Sequence, residues 1–386
     1  MAAATKCLPK ATSHAELHPA LHADLCIVFN PFVPMDTPDT LNIFLHRFLA
    51  QVGAPQVSLL EVLPNRPRSA VRRLQLTKPW HGHEWIIAKQ VVGLEETARF
   101  DRELASLRLL SSLNITPTVT PQLLAWDAAS HILLYEDLGD RGLGTTLLGQ
   151  NQAEAHAALL AYVSALGRMH ASTASIQQHD GCFNTPGNPR NIQRDSLSFR
   201  GLCEAAGVAV DIAFDADVNQ IETVLNSPGP FRTLTHGDPC PDNDRLSDSR
   251  IMFIDFETGG FDHALLDAAY FTMAFPTCWC VGALPLNVLA EMHTTYRHAL
   301  AAGVPEAADD LIFSRHLLHA CARWLLDGGT LVQRLLHRLQ AFTRLAEGAD
   351  ILLGLTATTK RLYHQLASRW SYSEQPLAGY PAFVKP

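Results

Sequence analysis

Apolar residues recur along the chain with two different spacings, and the change between them divides the sequence into two parts. Between Val57 and Glu136 short apolar runs alternate with polar residues, which predicts strands. One segment there, from Glu95 to Leu113, has the spacing of an amphipathic helix. From Leu138 onward most apolar residues keep helical spacing. The pattern predicts a small, mostly antiparallel sheet region followed by a larger helical region.

Helix and breaker signals give the predicted domain boundaries. Asp39 can cap a short helix through Leu49, and an Ala-rich segment from Asn151 to Ala171 is a strong helix. Four further segments have helical spacing: 286–301, 309–326, 330–346 and 350–369. Prolines interrupt both ends of the chain. The predicted organisation is an irregular extension at 1–37, a sheet-rich lobe at 38–137, a helical lobe at 138–371 and a tail at 372–386.

A polar segment in the helical part carries the candidate chemistry. Residues 236–243 read His-Gly-Asp-Pro-Cys-Pro-Asp-Asn, and 254–257 read Ile-Asp-Phe-Glu. Asp238 therefore lies five residues before the amide of Asn243, and Asp255 lies twelve residues after it, behind a short apolar run. Either half alone is typical of an ordinary turn or strand end. Together, in this order, they favour a phosphotransferase of the kinase type.

The order of these side chains predicts their roles. Asp238 would receive the proton of an attacking hydroxyl, while Asn243 and Asp255 would offer the oxygen ligands that Mg²⁺ prefers. Glu257 would either reach a second metal ion or brace the loop. His236 is a candidate catalytic residue that is better suited to orienting the loop than to acting as the base.

The pattern H-G-D-x-x-x-x-N followed by I-D-F-E resembles the aminoglycoside phosphotransferase and choline kinase superfamily, relatives of the protein kinases. The resemblance covers about 57–271. It implies a two-lobed protein-kinase-like α+β fold, with a small antiparallel-sheet N-lobe and a large, mostly helical C-lobe. It also implies ATP as the phosphoryl donor, with GTP possible, and Mg²⁺ as the metal.

The resemblance implies roles for residues outside the loop. Lys89 would contact the nucleotide phosphates and pair with Glu103 on the following helix. Backbone groups from Glu136 to Leu138 would hold the nucleotide base. His170 and Asp267 would support the catalytic loop without reacting.

The chain departs from the family pattern at three places. The turn at 63–69 contains no glycine, so its backbone cannot approach phosphates as closely, although Ser69 and the arginines of the turn could compensate. Cys240 lies inside the catalytic loop, where it could make the enzyme sensitive to thiol reagents, and Asp244-Arg245 stands where an apolar strand is usual. The first departure puts nucleotide affinity and choice in question.

The charge and composition of the chain restrict its expected binding partners and its expected location. The net charge of −8 argues against nucleic acid or an anionic membrane as partner. Residues 171–300 hold 16 acidic against 7 basic residues, which slightly favours a cationic acceptor. The eight cysteines form no C-x-x-C pair and are expected to be reduced. No secretory signal or membrane span is recognised, so a cytoplasmic location is expected.

These observations lead to one functional hypothesis and its rivals. The protein is predicted to move the γ-phosphoryl of ATP or GTP to a hydroxyl of a small molecule, such as an aminoglycoside or an amino alcohol. A pseudokinase that binds nucleotide or a partner without turnover is the main alternative, and a kinase of protein-attached sugars is another. The acceptor, the nucleotide base and the oligomeric state are left open.

Overall fold

A computed structural model describes residues 38–64, 67–177, 181–184, 191–205, 207–247, 249–276, 278 and 284–334. Its first part is a five-stranded antiparallel sheet in the order β1-β2-β3-β5-β4. The strands are β1 (Val57–Val62), β2 (Ser69–Trp80), β3 (His83–Val91), β4 (Leu123–Asp127) and β5 (Ile132–Glu136). Two helices accompany the sheet, α1 (Pro38–Gln51) and α2 (Glu96–Ser112).

The sheet buries both of its faces because its central strands are apolar at successive positions. Neighbouring side chains on a strand point to opposite faces. Ile86 on β3 accordingly joins the cluster that contains Phe48 of α1, whereas Ile87 joins the cluster that contains Phe100 of α2. A helix therefore covers each face, and Lys89 is carried on a central strand of the sheet.

The second part is mainly helical. Its helices are α3 (Leu143–Leu147), α4 (Gln152–Thr173), α5 (Ile192–Ala205), α6 (Ala213–Asn226), α7 (Leu265–Thr272), α8 (Leu286–Ala301) and α9 (Asp310–Arg334). Two short antiparallel pairs join β6 (Arg232–Thr235) with β9 (Gly260–His263), and β7 (Asp244–Ser247) with β8 (Arg250–Phe253). None of the helices in the described ranges combines the length and apolar character that crossing a membrane requires.

Helix α4 forms the centre of the helical part. Asn151 caps its start, with its side chain accepting a hydrogen bond from the Glu154 amide. A side chain at Gly167 would come within 2.7 Å of the Tyr296 carbonyl oxygen, so glycine there allows α8 to pack closely against α4. Helix α4 also packs against β6 and β8, the strands that lead into the loops carrying Asp238 and Asp255.

The predicted two-lobed α+β architecture is confirmed, with one correction among the helices. A break between 326 and 330 was expected, yet α9 runs without interruption to Arg334. Gly328 and Gly329 lower helix propensity there, but Leu325 and Leu326 on the preceding turn are fully buried, and tertiary packing overrides a weak local preference. The predicted helix at 350–369, most of that at 330–346, the extension at 1–37 and the tail at 372–386 lie outside the described residues. The domain boundaries stay a prediction.

Candidate active site

The loop between β6 and β7 is held in a conformation that requires glycine at one position. Gly237 has φ +81°, in the left-handed region, and a Cβ there would lie 2.3 Å from the backbone oxygen of Thr258. The loop thus packs directly on the segment that follows Asp255. Asp238 is the next residue, so this close backbone contact fixes its position.

The buried carboxylate of Asp267 holds the backbone of the same loop. Asp267 at the start of α7 accepts hydrogen bonds from the amides of His236 (2.7 Å) and Gly237 (3.2 Å). His170 lies 3.2 Å from the same carboxylate, and its other ring nitrogen is 2.8 Å from the Tyr296 hydroxyl. The structure therefore gives His170 and Asp267 contacts that support the loop, in keeping with the roles that the resemblance implied.

His236 has a fully buried ring that contacts the backbone. Its Nε2 is 2.9 Å from the Ile254 carbonyl oxygen, and the amide of Asp238 is 3.3 Å from its Nδ1. These contacts connect the loop to the end of β8 and leave the ring inside the protein. The geometry favours an orienting role for His236 over that of the base.

Asp238 and Asn243 form a pair across the loop. The Asn243 side-chain nitrogen donates to the Asp238 backbone oxygen (2.9 Å) and to its carboxylate (3.2 Å). The amide oxygen of Asn243 is consequently turned away from Asp238. Burial raises the pKa of Asp238 and outweighs the lowering effects of His236 and of the Asn243 hydrogen bond, while Asp242 and Asp255 raise it further. A carboxylate with a raised pKa is better suited to accepting a proton near neutral pH.

The β7–β8 hairpin brings Asn243 and Asp255 to the same end of the loop. Asp244 pairs with Phe253 in its register, and the Ile254 amide donates to the Asn243 carbonyl oxygen at 3.0 Å. Asp255 follows with φ +69°, a left-handed conformation that is uncommon outside glycine and turns the chain sharply after the strand. The two predicted metal ligands are thus neighbours because of local hairpin pairing.

Lys89 is buried between two carboxylates. Its Nζ lies 2.6 Å from Glu103 Oε2 on α2 and 2.6 Å from Asp255 Oδ1. Burial disfavours the ammonium form, but the charges of Asp255 and Glu103 outweigh burial and raise the pKa of Lys89. The structure thus brings together three predicted site residues that are distant in sequence, and one cation faces two carboxylates.

Glu257 lies in a different environment from Asp255. Its carboxylate contacts the guanidinium of buried Arg99 at 3.2 Å and that of Arg68 at 2.9 Å. Arg68 belongs to the glycine-free turn, so this ion pair joins the two lobes. Ser69, the other candidate in that turn, is buried and pairs with Val91 at the start of β2. Of the two roles predicted for Glu257, these contacts favour bracing.

The connection between the lobes follows β5. Glu136 pairs with Ile86 in the sheet, and its side chain accepts a hydrogen bond from the Gln122 amide at 2.8 Å. The Asp137 carboxylate contacts the Arg73 guanidinium, and Leu138 is half-buried. Glu136 and Leu138 thus flank the predicted base-binding position, and their nucleotide contacts stay a prediction.

Asp244 has a structural task that the sequence pattern did not reveal. It is fully buried, and its carboxylate accepts a hydrogen bond at 2.7 Å from the Leu143 amide at the start of α3. Burial raises the pKa of Asp244 to about 8. Strand β7 therefore contains a buried carboxylate, and that carboxylate caps a helix of the same lobe.

The catalytic loop also carries a cysteine pair. Cys240 and Cys278 are joined as a disulfide, with a Cα–Cα distance of 5.9 Å that is ordinary for such a bond. The expectation of reduced cysteines is wrong for this pair. Among the described cysteines, Cys203 and Cys321 are buried free thiols. The pair was missed because its members lie on separate segments and share no short motif.

A sequence model of the phosphotransferase enzyme family (APH) matches residues 72–285, more than half of the chain. The chain belongs to this family. The match contains Lys89, Glu103, the catalytic loop and Asp255, and it confirms the resemblance based on the loop motif. This phosphotransferase is therefore an enzyme of the kinase class.

Three solved structures illustrate what the phosphotransferase is similar to. A putative aminoglycoside phosphotransferase from Ralstonia eutropha JMP134 is 15% identical, with TM-score 0.49, 85% of this chain covered and 98% of its own. A Plasmodium vivax ethanolamine kinase is 13% identical, with TM-score 0.48 and coverage of 86% and 88%. A choline kinase from Cryptosporidium parvum Iowa II is 12% identical, with TM-score 0.48 and coverage of 81% and 88%. Among curated proteins there is no significant match.

Proposed function

We propose that this phosphotransferase moves the γ-phosphoryl of ATP to a hydroxyl group of a small molecule in a Mg²⁺-dependent reaction. The observation that carries the proposal is the contact of Lys89 with Asp255, beside the Asp238–Asn243 pair. A phosphate-binding cation, two oxygen ligands for a metal and a candidate base are then adjacent. Phosphoryl transfer needs this combination because its catalysis is positioning and charge stabilisation.

The donor set fits Mg²⁺. Asp255 and Asn243 offer carboxylate and amide oxygens, the hard ligands that Mg²⁺ prefers, and they are few enough to leave positions for water and phosphate oxygens. The single charge of Lys89 is shared between Glu103 and Asp255, so the cluster retains negative charge that a divalent cation would neutralise. Bound there, Mg²⁺ would neutralise charge on the phosphates during transfer.

The remaining steps fall to the protein's own side chains. Asp238 would accept a hydrogen bond from the acceptor hydroxyl and then its proton, a contribution of about 10²–10⁴-fold. Asn243 fixes the Asp238 carboxylate through its side-chain nitrogen. Lys89 would hold the phosphates, with Glu103 fixing its orientation, and the backbone near Glu136 to Leu138 would hold the base. ATP is preferred over GTP on the resemblance alone.

The acceptor is proposed to be a small hydroxylated molecule, with a cationic group favoured by the acidic segment 171–300. Part of that acidity has structural partners, however. Asp244 caps α3, Asp267 holds the catalytic loop, and Asp195 contacts Arg323 at 3.4 Å. The charge argument for a cationic acceptor is accordingly weaker than the sequence count indicated. The cytoplasmic location and the absence of nucleic-acid and membrane partners stay predictions.

A pseudokinase is the second candidate, and one observation favours it. The turn that would cover the phosphates has no glycine, so its backbone amides approach less closely than in a glycine-rich loop. Such a protein would bind nucleotide, or a partner, without turnover. The pairing of Lys89 with Asp255 and Glu103 argues for the enzyme.

The test is nucleotide consumption with Mg²⁺ and ATP or GTP across a panel of hydroxylated acceptors, including aminoglycosides, macrolides, choline, ethanolamine and simple sugars. Asp238→Ala should abolish acceptor-stimulated turnover and keep nucleotide binding, whereas Asp255→Ala should lose Mg²⁺-dependent binding as well. Turnover that survives in Asp238→Ala would refute the base assignment. Nucleotide binding without stimulated turnover for any acceptor would favour the pseudokinase.

A further inference from the structure

We infer that Arg68 is a phosphate-binding residue for the nucleotide, held ready by Glu257, and that Glu257 acts as a positioning residue instead of a metal ligand. The inference rests on the proposed function and deepens it. It names the group that takes over the task of the missing glycine-rich loop. The ligand class is a nucleoside di- or triphosphate.

The first step is the position of Arg68. Its backbone oxygen accepts a hydrogen bond from the Val92 amide at 3.0 Å, which extends the β2–β3 pairing beyond Val91 and fixes the residue beside the strand that carries Lys89. Its side chain is 59% exposed and reaches from the N-lobe turn to Glu257, two residues after Asp255. The guanidinium therefore lies over the segment that carries a predicted metal ligand, where phosphates are expected.

The second step is that Glu257 is itself immobilised. One carboxylate oxygen contacts Arg99, and the other contacts Arg68. Arg99 on α2 is in turn fixed by the carbonyl oxygens of Val92 (2.6 Å) and Leu94 (2.7 Å). Both Arg99 and Glu257 are about 5% exposed, so this part of the network is a rigid buried support.

The third step is the difference between the two arginines. The guanidinium of buried Arg99 is occupied by the carbonyl oxygens of Val92 and Leu94 and by the buried carboxylate of Glu257, whereas Arg68 offers most of its surface to solvent. Arg68 contacts Glu257 through Nη1, so another edge of its guanidinium can face an incoming phosphate while Arg99 keeps its own contacts. Arginine binds phosphate through two parallel N–H donors, which would compensate for the absence of glycine from the turn sequence.

The fourth step concerns the charge of Glu257. Two guanidinium groups already neutralise its carboxylate, which makes it a poor ligand for a further cation. Asp255 differs because it shares Lys89 with Glu103. The same Arg99 that holds Glu257 lies one helical turn before Glu103 on α2, so a single helix positions both Lys89 and Arg68.

The test is calorimetric binding of the β,γ-imido analogue of ATP with Mg²⁺, compared with binding of adenosine, which has no phosphate. Arg68→Ala should weaken binding of the triphosphate about tenfold or more, the effect of one charge-assisted hydrogen bond, and leave adenosine binding unchanged. Arg68→Lys should recover the loss only in part. The matched control is Arg108→Ala, an exposed arginine of the same lobe that lies over Trp126 on edge strand β4.

Glu257→Gln separates the two roles of the glutamate. As a positioning residue it should weaken triphosphate binding several-fold and leave the Mg²⁺ concentration for half-maximal binding unchanged, whereas Asp255→Asn should raise that concentration. A Mg²⁺ requirement raised equally by both changes would overturn the inference, as would unchanged triphosphate affinity in Arg68→Ala. If the unaltered protein bound no nucleotide, the proposed function itself would fall and this inference with it.

Discussion

Replacing Gly237 by alanine tests whether the close packing of the catalytic loop is needed for turnover. The new Cβ would lie 2.3 Å from the Thr258 carbonyl oxygen, whereas ordinary contact begins near 3.4 Å, so one backbone segment must move by about 1 Å. Asp238 is the next residue along the chain, and it would move with the loop. A displacement of this size at a reacting group costs about 10²-fold in rate.

Stability should fall as well, and a matched control separates the two effects. Holding alanine at a left-handed φ costs about 1–2 kcal/mol, and overpacking adds about 1–3 kcal/mol. Gly207 also has a left-handed backbone (φ +69°), but a Cβ there meets nothing within 4 Å. Gly207→Ala should therefore lower the free energy of unfolding by about 1 kcal/mol and leave kcat within about twofold.

The assay measures kcat for acceptor-stimulated nucleotide consumption, together with denaturant unfolding of each variant. Gly237→Ala is expected to lose about 100-fold in kcat at a temperature where it is fully folded, while its affinity for the Mg²⁺-nucleotide changes little. Turnover in Gly237→Ala equal to that of Gly207→Ala would refute the reasoning. It would mean that the loop tolerates the displacement and that the position of Asp238 is not set by this contact.

Two further substitutions test the electrostatics. Asp244→Asn keeps the acceptor for the Leu143 amide and removes an ionisation that burial disfavours. The pKa of Asp244 is about 8 in the folded state, against its ordinary value of 3.8, so the folded state binds more protons between these pH values. The free energy of unfolding of the parent therefore falls as pH rises through this range. The variant should be more stable than the parent by about 1–3 kcal/mol at pH 8.5 and equal to it near pH 4. Denaturant midpoints measured at both pH values would show this difference. A parent that is no less stable than the variant at pH 8.5 would contradict the assignment. Glu103→Gln leaves Asp255 as the charged partner of Lys89, so the affinity for Mg²⁺-nucleotide should fall about tenfold in a calorimetric titration. An unchanged affinity would show that Glu103 does not orient the lysine.

Helix positions could be predicted closely where the apolar spacing was long and regular. The helix expected at 151–171 is Gln152–Thr173 with Asn151 as its cap, and the one expected at 286–301 is Leu286–Ala301. The predicted end at 326 was wrong because two glycines are a weak local signal that burial of the preceding turn overrides. In these helices the sequence therefore predicted the first residue more closely than the last, because packing decides how far a helix continues.

The interpretation of single polar residues depended on contacts that the sequence does not contain. Asp244 stood out as a departure from an apolar strand, and the structure shows it capping α3 through the Leu143 amide. Glu257 had two possible roles, and only its contacts with Arg99 and Arg68 favour one of them. Cys240 pairs with Cys278, which no spacing rule indicated. Each partner comes from a different element of the fold.

The sequence by itself determined which candidate catalytic and metal-binding residues lie together, because Asp238, Asn243 and Asp255 lie on one loop and one hairpin. Chain connectivity and strand pairing hold such residues together wherever the segment folds. The tertiary structure alone decided which distant charges meet: Lys89 with Asp255 across 166 positions, and Arg99 with Glu257 across 158. Those pairings require that α2, the sheet and the catalytic segment pack in one arrangement, and that arrangement is set by burial of apolar surface over the whole molecule, not by spacing along the chain.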